Sequence, residues 1–255
     1  MRPFYYVSIV FLLVMFVLAF MVWQTDVSIW WLLPPFIVYI HLLVLGAIYI
    51  RWNFYLKSFH KGTNSKWIAL TFDDGPNGET AAILDILGVH KVPAAFFSIG
   101  KNAVANPKLV KRWHEEGHLI GNHSFHHGFH FDWQSAERMC EELQQTNEAI
   151  YAIVGVRPKL FRPPYGVTNP NLARAIKQTR MHSIGWSVRS FDTTAKSAPQ
   201  LLARILDNLQ GGDIILLHDS MPVTKEILTE LIQKAQQKGF TFVRVDKMLG
   251  LDAYA

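Results

Sequence analysis

The stretch Trp67-Ile68-Ala69-Leu70-Thr71-Phe72-Asp73-Asp74-Gly75-Pro76 is an apolar run that ends in two carboxylates and a turn. Trp67 to Phe72 has the length and apolar character of a strand covered on both faces, as in a parallel sheet. Adjacent carboxylates repel each other, and burial adds a desolvation cost. That cost is tolerable where one carboxylate binds a cation and the other pairs with a cationic side chain. Turn formation by aspartate is the plainer alternative.

Outward from this strand, apolar runs alternate with amphipathic ones. Glu79 to Gly88 reads as a helix closed by glycine, and Ala94 to Ile99 as a second strand. Pro107 to Glu116 is a helix ended by Gly117, Leu119 to Gly121 a short strand, and Gln134 to Ile150 a long amphipathic helix. Met181 to Val188, Asp213 to Leu217 and Phe240 to Val245 read as further strands. Asn171 to Gln178, Pro199 to Leu209 and Val223 to Lys238 read as the helices between them. Such alternation predicts an α/β domain over 61–255, with parallel strands and outer helices, as a barrel or an open sheet. In both, chemistry gathers at the carboxyl ends of strands.

Four further segments carry chemistry there. Asn122-His123-Ser124-Phe125-His126-His127-Gly128-Phe129-His130 packs four histidines into eight residues. His123 and His127 stand four apart, which on a helical turn puts both imidazoles on one side. Two imidazoles and a carboxylate suit zinc and leave positions open. Phe161-Arg162-Pro163-Pro164-Tyr165-Gly166 has two prolines that stiffen the backbone, which can aim Arg162 at a carboxylate and present the Tyr165 N–H to an oxyanion. Ile214-Ile215-Leu216-Leu217-His218-Asp219 ends a buried strand in a histidine suited to acid–base work. Gly185-Trp186-Ser187-Val188-Arg189-Ser190-Phe191-Asp192-Thr193 supplies an aspartate able to hydrogen-bond such a histidine. Each segment alone has a structural explanation; together they provide a metal site, a base, its arginine partner, an oxyanion donor and an acid.

Thr-Phe-Asp-Asp-Gly, His-Ser-x-x-His, Arg-Pro-Pro-Tyr and Leu-Leu-His-Asp, in that order, resemble the motifs of the polysaccharide deacetylases, carbohydrate esterase family four. The resemblance implies a distorted (β/α) barrel and a divalent metal, commonly zinc. It implies Asp74, His123 and His127 as metal ligands and Asp73 as the base for a water activated by the metal. Arg162 would hold Asp73, and the Tyr165 N–H would stabilise the oxyanion. His218 would protonate the departing amine, with Asp192 setting its protonation. One motif departs: where the family usually has Asp-x-x-Asp-Trp, this chain has Arg189-Ser190-Phe191-Asp192-Thr193. Arg189 is expected to pair with a surface acid, or alternatively to meet an anionic group of the substrate.

The chain is 255 residues long, 50% hydrophobic and 18% charged, against about 25% charged in ordinary globular domains. The excess sits at the front. Phe4 to Trp23 and Ile29 to Ile50 are apolar runs of spanning length, joined by Gln24-Thr25-Asp26-Val27-Ser28. They predict a two-helix transmembrane hairpin over residues 1–60, with Trp23, Trp30, Trp31 and Trp52 at the interfaces. Pro34 and Pro35 mark a kink or the start of the second helix. His41 is assigned no function. A cleavable signal peptide is disfavoured by the length of the first run and by the lack of an A-x-A-like site. Arg2 precedes the hairpin, and Arg51, Lys57, Lys61 and Lys66 follow it, so the charge bias places the catalytic domain on the cytoplasmic side of a bacterial inner membrane. Cys140 is the only cysteine, so no internal disulfide forms. The net charge of +5 comes without any run of Lys and Arg, and nucleic acid is not expected as a partner.

The expected activity is removal of N-acetyl groups from an amino sugar in a polysaccharide, peptidoglycan or lipid-linked glycan precursor. The alternatives are a deformylase of a lipid-linked amino sugar, an O-acetyl esterase, or an inactive sugar-binding membrane protein.

Overall fold

The computed structural model of the protein describes residues 2–255. Its centre is β2 (Trp67–Asp73), with β3 (Ala94–Ser98) on one side and β8 (Ile214–His218) on the other. Beyond β3 follow β4 (Leu119–Asn122), β5 (Leu160–Phe161), β6 (His182–Ile184) and β1 (Ser58–Phe59); beyond β8 lies β7 (Val188–Arg189). β9 (Thr241–Phe242) pairs with the start of β2. Every strand pairing is parallel.

The chain leaves β6 near one end of this path and enters β7 at the other, with only Gly185, Trp186 and Ser187 between. Gly185 donates its N–H to Phe59 in β1 at 2.8 Å, and Ser187 donates to Ile214 at 3.1 Å. The three residues thus bridge the gap of a curled half-barrel. Met181 to Val188, expected as one strand, is two strands on opposite sides of that gap.

Strand periodicity decides what faces where. Ile68, Leu70 and Phe72 of β2 belong to the outer apolar layer with Ile83, Leu84 and Leu87 of α3 (Thr80–His90). α5 (Pro107–Glu115), α8 (Ala198–Leu206) and α9 (Pro222–Gln237) add to the same layer. Ala69, in the inner cluster with Phe97, Ile214, Leu216 and Trp186, alternates with these residues along β2, as do Thr71 and Asp73. The inner face of β2 therefore delivers Asp73 to the carboxyl end of the barrel, beside its register partner His218.

Several boundaries differ from expectation. α3 runs through Gly88 to His90 and ends on Lys91 in a left-handed conformation (φ 52°). α4 (Gly100–Ala105) and α10 (Val245–Leu249) were not expected; α10 takes Val245 from the end of the expected strand. α6 (Ala136–Val154) is capped by Ser135, whose hydroxyl accepts from the Arg138 N–H, and it ends at Gly155. α7 (Pro170–Thr179) is capped in the same way by Asn169.

At the front, α1 (Pro3–Gln24) and α2 (Leu33–Ile48) lie side by side. Pro34 and Pro35 sit in the first turn of α2, which a 3₁₀ turn over Ile29–Leu32 precedes. Ser8 and Tyr39 share a 3.0 Å hydrogen bond, and Phe11 stacks on Tyr39 at 4.0 Å. Both helices are long and apolar enough, with the 3₁₀ turn added to α2, to cross a membrane. The base of the hairpin is fixed to the barrel. Thr168 donates its N–H to Ala47 at 2.9 Å, the Tyr55 hydroxyl donates to Leu43, and Phe4, Val7, Leu43 and Ala47 pack on a cluster that includes Phe54, Tyr55 and Phe161.

Candidate active site and metal centre

Asp73 ends β2 almost fully buried. Its Oδ1 accepts from Arg162 Nη1 at 2.7 Å. Arg162 has no exposed surface and also donates to Thr71 Oγ1 at 2.8 Å, Ile184 O at 3.2 Å and Gly185 O at 3.1 Å. Its guanidinium lies 4.2 Å from the Phe97 ring centre. A buried cation is tolerated only with this degree of pairing.

Asp74 follows in a left-handed conformation (φ 73°), which turns its side chain away from Asp73's partner and toward two imidazoles. His123 Nε2 lies 3.4 Å and His127 Nε2 3.5 Å from Asp74 Oδ1. The three donor atoms all fall within 4.8 Å of one another. His123 Nδ1 is 2.7 Å from the Arg162 carbonyl, so it carries the hydrogen and Nε2 presents its lone pair to the site. Asp74 Oδ1 is buried and accepts no hydrogen bond. An orphaned carboxylate oxygen facing two imidazole nitrogens is the donor set a divalent metal needs, and these residues fit zinc.

Charge in the site is divided. Burial alone would raise the Asp74 carboxyl, but His123, His127 and His218 outweigh it and hold Asp74 well below the usual carboxylate range. Burial, reinforced by His123, pushes His127 down to about 4, the neutral form a metal ligand requires. His218 goes the other way. Burial lowers it, but hydrogen bonding and charge from Asp192, with Asp73 and Asp74 behind, raise it to about 9.

The His218 pair is built as firmly as the arginine pair. His218 Nδ1 is 2.8 Å from Asp192 Oδ1, and the His218 N–H donates to Asp192 Oδ2 at 2.6 Å. Asp192 is buried and also accepts from Ser190, Thr193 N–H and Thr224. His218 Nε2 then points to within 4.0 Å of Asp74.

Asp73, Asp74, His123, His127, Tyr165 and His218 line one pocket of about 230 Å³, with Arg162 and Asp192 behind its wall. Tyr165 holds a left-handed φ of 56° after the two prolines, and its half-exposed ring lies 4.7 Å from His127. Gly166 has φ 72°, and a Cβ there would come within 2.3 Å of the Trp186 ring, so only glycine fits.

Two expectations are corrected. Residues 123–128 are a loop, not a helical turn; left-handed Ser124 (φ 62°) and His127 (φ 50°) bring the imidazoles together. Arg189 meets no carboxylate within ion-pair distance among the described residues. It lies over Phe191 (4.8 Å) and Trp186 (5.7 Å) and lines the pocket. His126 and His130 stay outside the site. Sequence reasoning missed Glu142, buried on α6, whose Oε2 accepts the N–H groups of Phe125 and His126 and so holds the histidine loop. An acid within an otherwise apolar helix stripe is the signal that marks it. Asp219 was also missed; it is buried beneath Gly75, accepts from Thr80 and Asn77, and is raised to about 7 mainly by burial.

Residues 60–184 match the family model described as polysaccharide deacetylase. The chain is 36% identical over 191 residues to a peptidoglycan-N-acetylglucosamine deacetylase of Listeria monocytogenes, covering 74% of this chain and 40% of that relative's length. It is 34% identical over 198 residues to a peptidoglycan-N-acetylmuramic acid deacetylase of Bacillus subtilis, covering 75% of each chain. Among solved structures, the Bc1960 peptidoglycan N-acetylglucosamine deacetylase superposes with a TM-score of 0.74 at 31% identity, covering 78% of this chain and 95% of that one. Fold, motif order and relatives agree, and the chain belongs to the polysaccharide deacetylase family.

Proposed function

We propose that the protein is a membrane-anchored, metal-dependent deacetylase that hydrolyses the N-acetyl group of an amino sugar in a glycan. The observation that carries this reading is the pocket itself. An arginine-held carboxylate, Asp73, and an aspartate-held histidine, His218, line the same pocket as the three metal-binding donors. Asp74, His123 and His127 would hold zinc, which supplies a Lewis acid that acidifies water and polarises the acetyl carbonyl.

The chain's own residues do the rest. Asp73, its lone pairs oriented by Arg162, takes a proton from the attacking water as the oxygen bonds to the carbonyl carbon. The Tyr165 N–H stabilises the negative charge on the carbonyl oxygen. His218, cationic at neutral pH, gives a proton to the sugar nitrogen as the C–N bond breaks. Acetate and a free amine leave; Asp73 returns its proton to solvent and His218 takes one up. Asp192 neither gains nor loses a proton but keeps His218 charged and correctly turned. A binding module has no use for an arginine-held base and an aspartate-held acid in one pocket, which disfavours the inactive reading.

The hairpin over Pro3–Gln24 and Ile29–Ile48 is read as a two-pass anchor, supported by hydropathies of 2.7 and 2.0 and by side chains almost wholly outside the core. Arg51, Lys57, Lys61 and Lys66 on the barrel side support a cytoplasmic catalytic domain.

The pH profile tests the acid. Activity should fall as pH rises through about 9, where His218 loses its proton. Asp192→Asn removes the main cause of the raised value, so the alkaline limb should move down toward the unperturbed histidine value of about 6.5. An alkaline limb that stays in place in the variant would overturn the assignment of His218. The same raised value links to stability. Relative to the unfolded chain, the His218–Asp192 pair stabilises the fold fully below about 6.5, and that contribution is lost as pH climbs through about 9.

A further inference from the structure

The two most exposed aromatic side chains of the barrel domain, Trp133 (82%) and Phe129 (77%), flank Phe131, which is buried. Phe131 belongs to the cluster on which Leu43 and Ala47 of the hairpin pack. Asn169 and Asn171 donate side-chain N–H groups to Asp132 O (2.6 Å) and Gln134 O (2.9 Å), pinning the aromatic loop to the segment that Thr168 pins to Ala47. Phe129 also meets Tyr165 edge-on at 6.3 Å, at the pocket mouth. The loop therefore lies between the base of the hairpin and the site.

The opposite wall is braced by the same helix exit. Ile50 lies against Gly185, Arg51 donates to Ser187 O at 3.4 Å, and exposed Tyr49 and Trp52 stack at 5.2 Å. α1 rises about 33 Å at 1.5 Å per residue, and a bilayer core is about 30 Å thick. Tyr49 and Trp52 then fall at the lipid–water boundary, where such rings concentrate. Thr168 is three residues from Tyr165, at most about 11 Å of chain, so the mouth opens close to the membrane surface. A second observation is independent of this geometry. Arg189 in the pocket wall has no acidic partner among the described residues and lies over the Phe191 and Trp186 rings, with its N–H groups available to an oxyanion.

We infer that the substrate is an amino sugar joined through phosphate to a lipid of the bilayer that the hairpin spans. Trp133 and Phe129 seat the mouth on the lipid surface, and Arg189 meets the phosphate. The inference rests on the deacetylase reading and supplies its substrate class.

The test uses the full-length protein in lipid nanodiscs and counts acetate from three compounds. These are polyprenyl-phosphate-linked N-acetylglucosamine in the disc, soluble N-acetylglucosamine 1-phosphate, and neutral chitotetraose. Confinement to one surface should favour the lipid-carried sugar over the neutral oligomer about 100-fold. Trp133→Ser should lower turnover of the lipid-carried sugar about tenfold and leave the soluble compounds within about twofold. Arg189→Gln should lower the ratio of sugar phosphate to neutral turnover about tenfold, the loss of one charge-assisted contact. A fluorophore at Trp133→Cys, in a Cys140→Ala background, should be quenched by lipids spin-labelled in the headgroup, whereas one at Val89→Cys should not. Equal or preferred turnover of chitotetraose overturns the substrate assignment, and a label at 133 no more quenched than at 89 overturns the seating. If no compound releases acetate, the deacetylase reading fails and takes the substrate with it, while the quenching still decides the seating.

Discussion

Asp73→Asn should lower acetate release by about 10²–10⁴, the usual worth of a positioned general base, and leave metal affinity unchanged within about twofold. Asn has nearly the same volume and keeps an oxygen for Arg162 Nη1, which donates to Asp73 Oδ1 at 2.7 Å. It cannot take a proton from water. Asp74, His123 and His127 are separate side chains, so the metal-binding donors persist. Metal titration by calorimetry beside single-turnover acetate release separates the two effects. Loss of metal together with activity would make Asp73 a ligand, not a base. Equal activity in the variant would remove it from the chemistry.

Arg162→Met carries the second large effect, and it falls on stability first. Arg162 is fully buried and donates four hydrogen bonds to β2, β6 and the Gly185 bridge. Removing one partner of a buried ion pair costs about 3–5 kcal/mol, because Asp73 would remain buried without its cation. At about 2–4 °C per kcal/mol for a domain of this size, the melting temperature should fall by about 10 °C. Arg162→Lys should rescue little, since one ammonium cannot serve four acceptors spread around a planar fork. Combining Arg162→Met with Asp73→Asn should cost less than the sum of the two, because the second change removes the charge stranded by the first. Additive losses in that double-mutant cycle would contradict the pairing.

Much of this site was legible because buried parallel strands read as continuous apolar runs. In β2 and β8 the polar residues that end such runs are the ones at the mouth: Asp73, Asp74 and His218. The less legible parts share a different physics. Apart from His182, Met181 to Val188 is apolar or small, yet the bridge through Gly185 sends its two halves to opposite sides of the gap, and periodicity carries no record of which strand a residue will pair with. Gly88 resembles a stop signal, but it is not left-handed; the left-handed residue that ends α3 is Lys91 (φ 52°). His123 and His127 meet because of two left-handed residues in a loop, a conformation that neither Ser nor His advertises. Glu142 escaped notice and Arg189 was expected in the wrong setting, for opposite reasons. One is an acid buried to hold a loop, marked in sequence only by its place on a helix stripe; the other is a cation without an acidic partner in a pocket, which tertiary placement alone distinguishes from an ordinary surface charge.

The most direct test of the account is acetate release by the full-length protein, first stripped with a chelator and then reloaded with zinc, alongside His127→Ala. Residues 54–59 should remain in any shorter form, because Phe54, Tyr55 and Leu56 are buried and Ser58–Phe59 is a strand of the sheet. Stripping should abolish release, zinc should restore it, and His127→Ala should lack it at any zinc concentration that saturates the wild type. Release that survives stripping, or that His127→Ala retains in full, would contradict a metal-centred hydrolase at Asp74, His123 and His127.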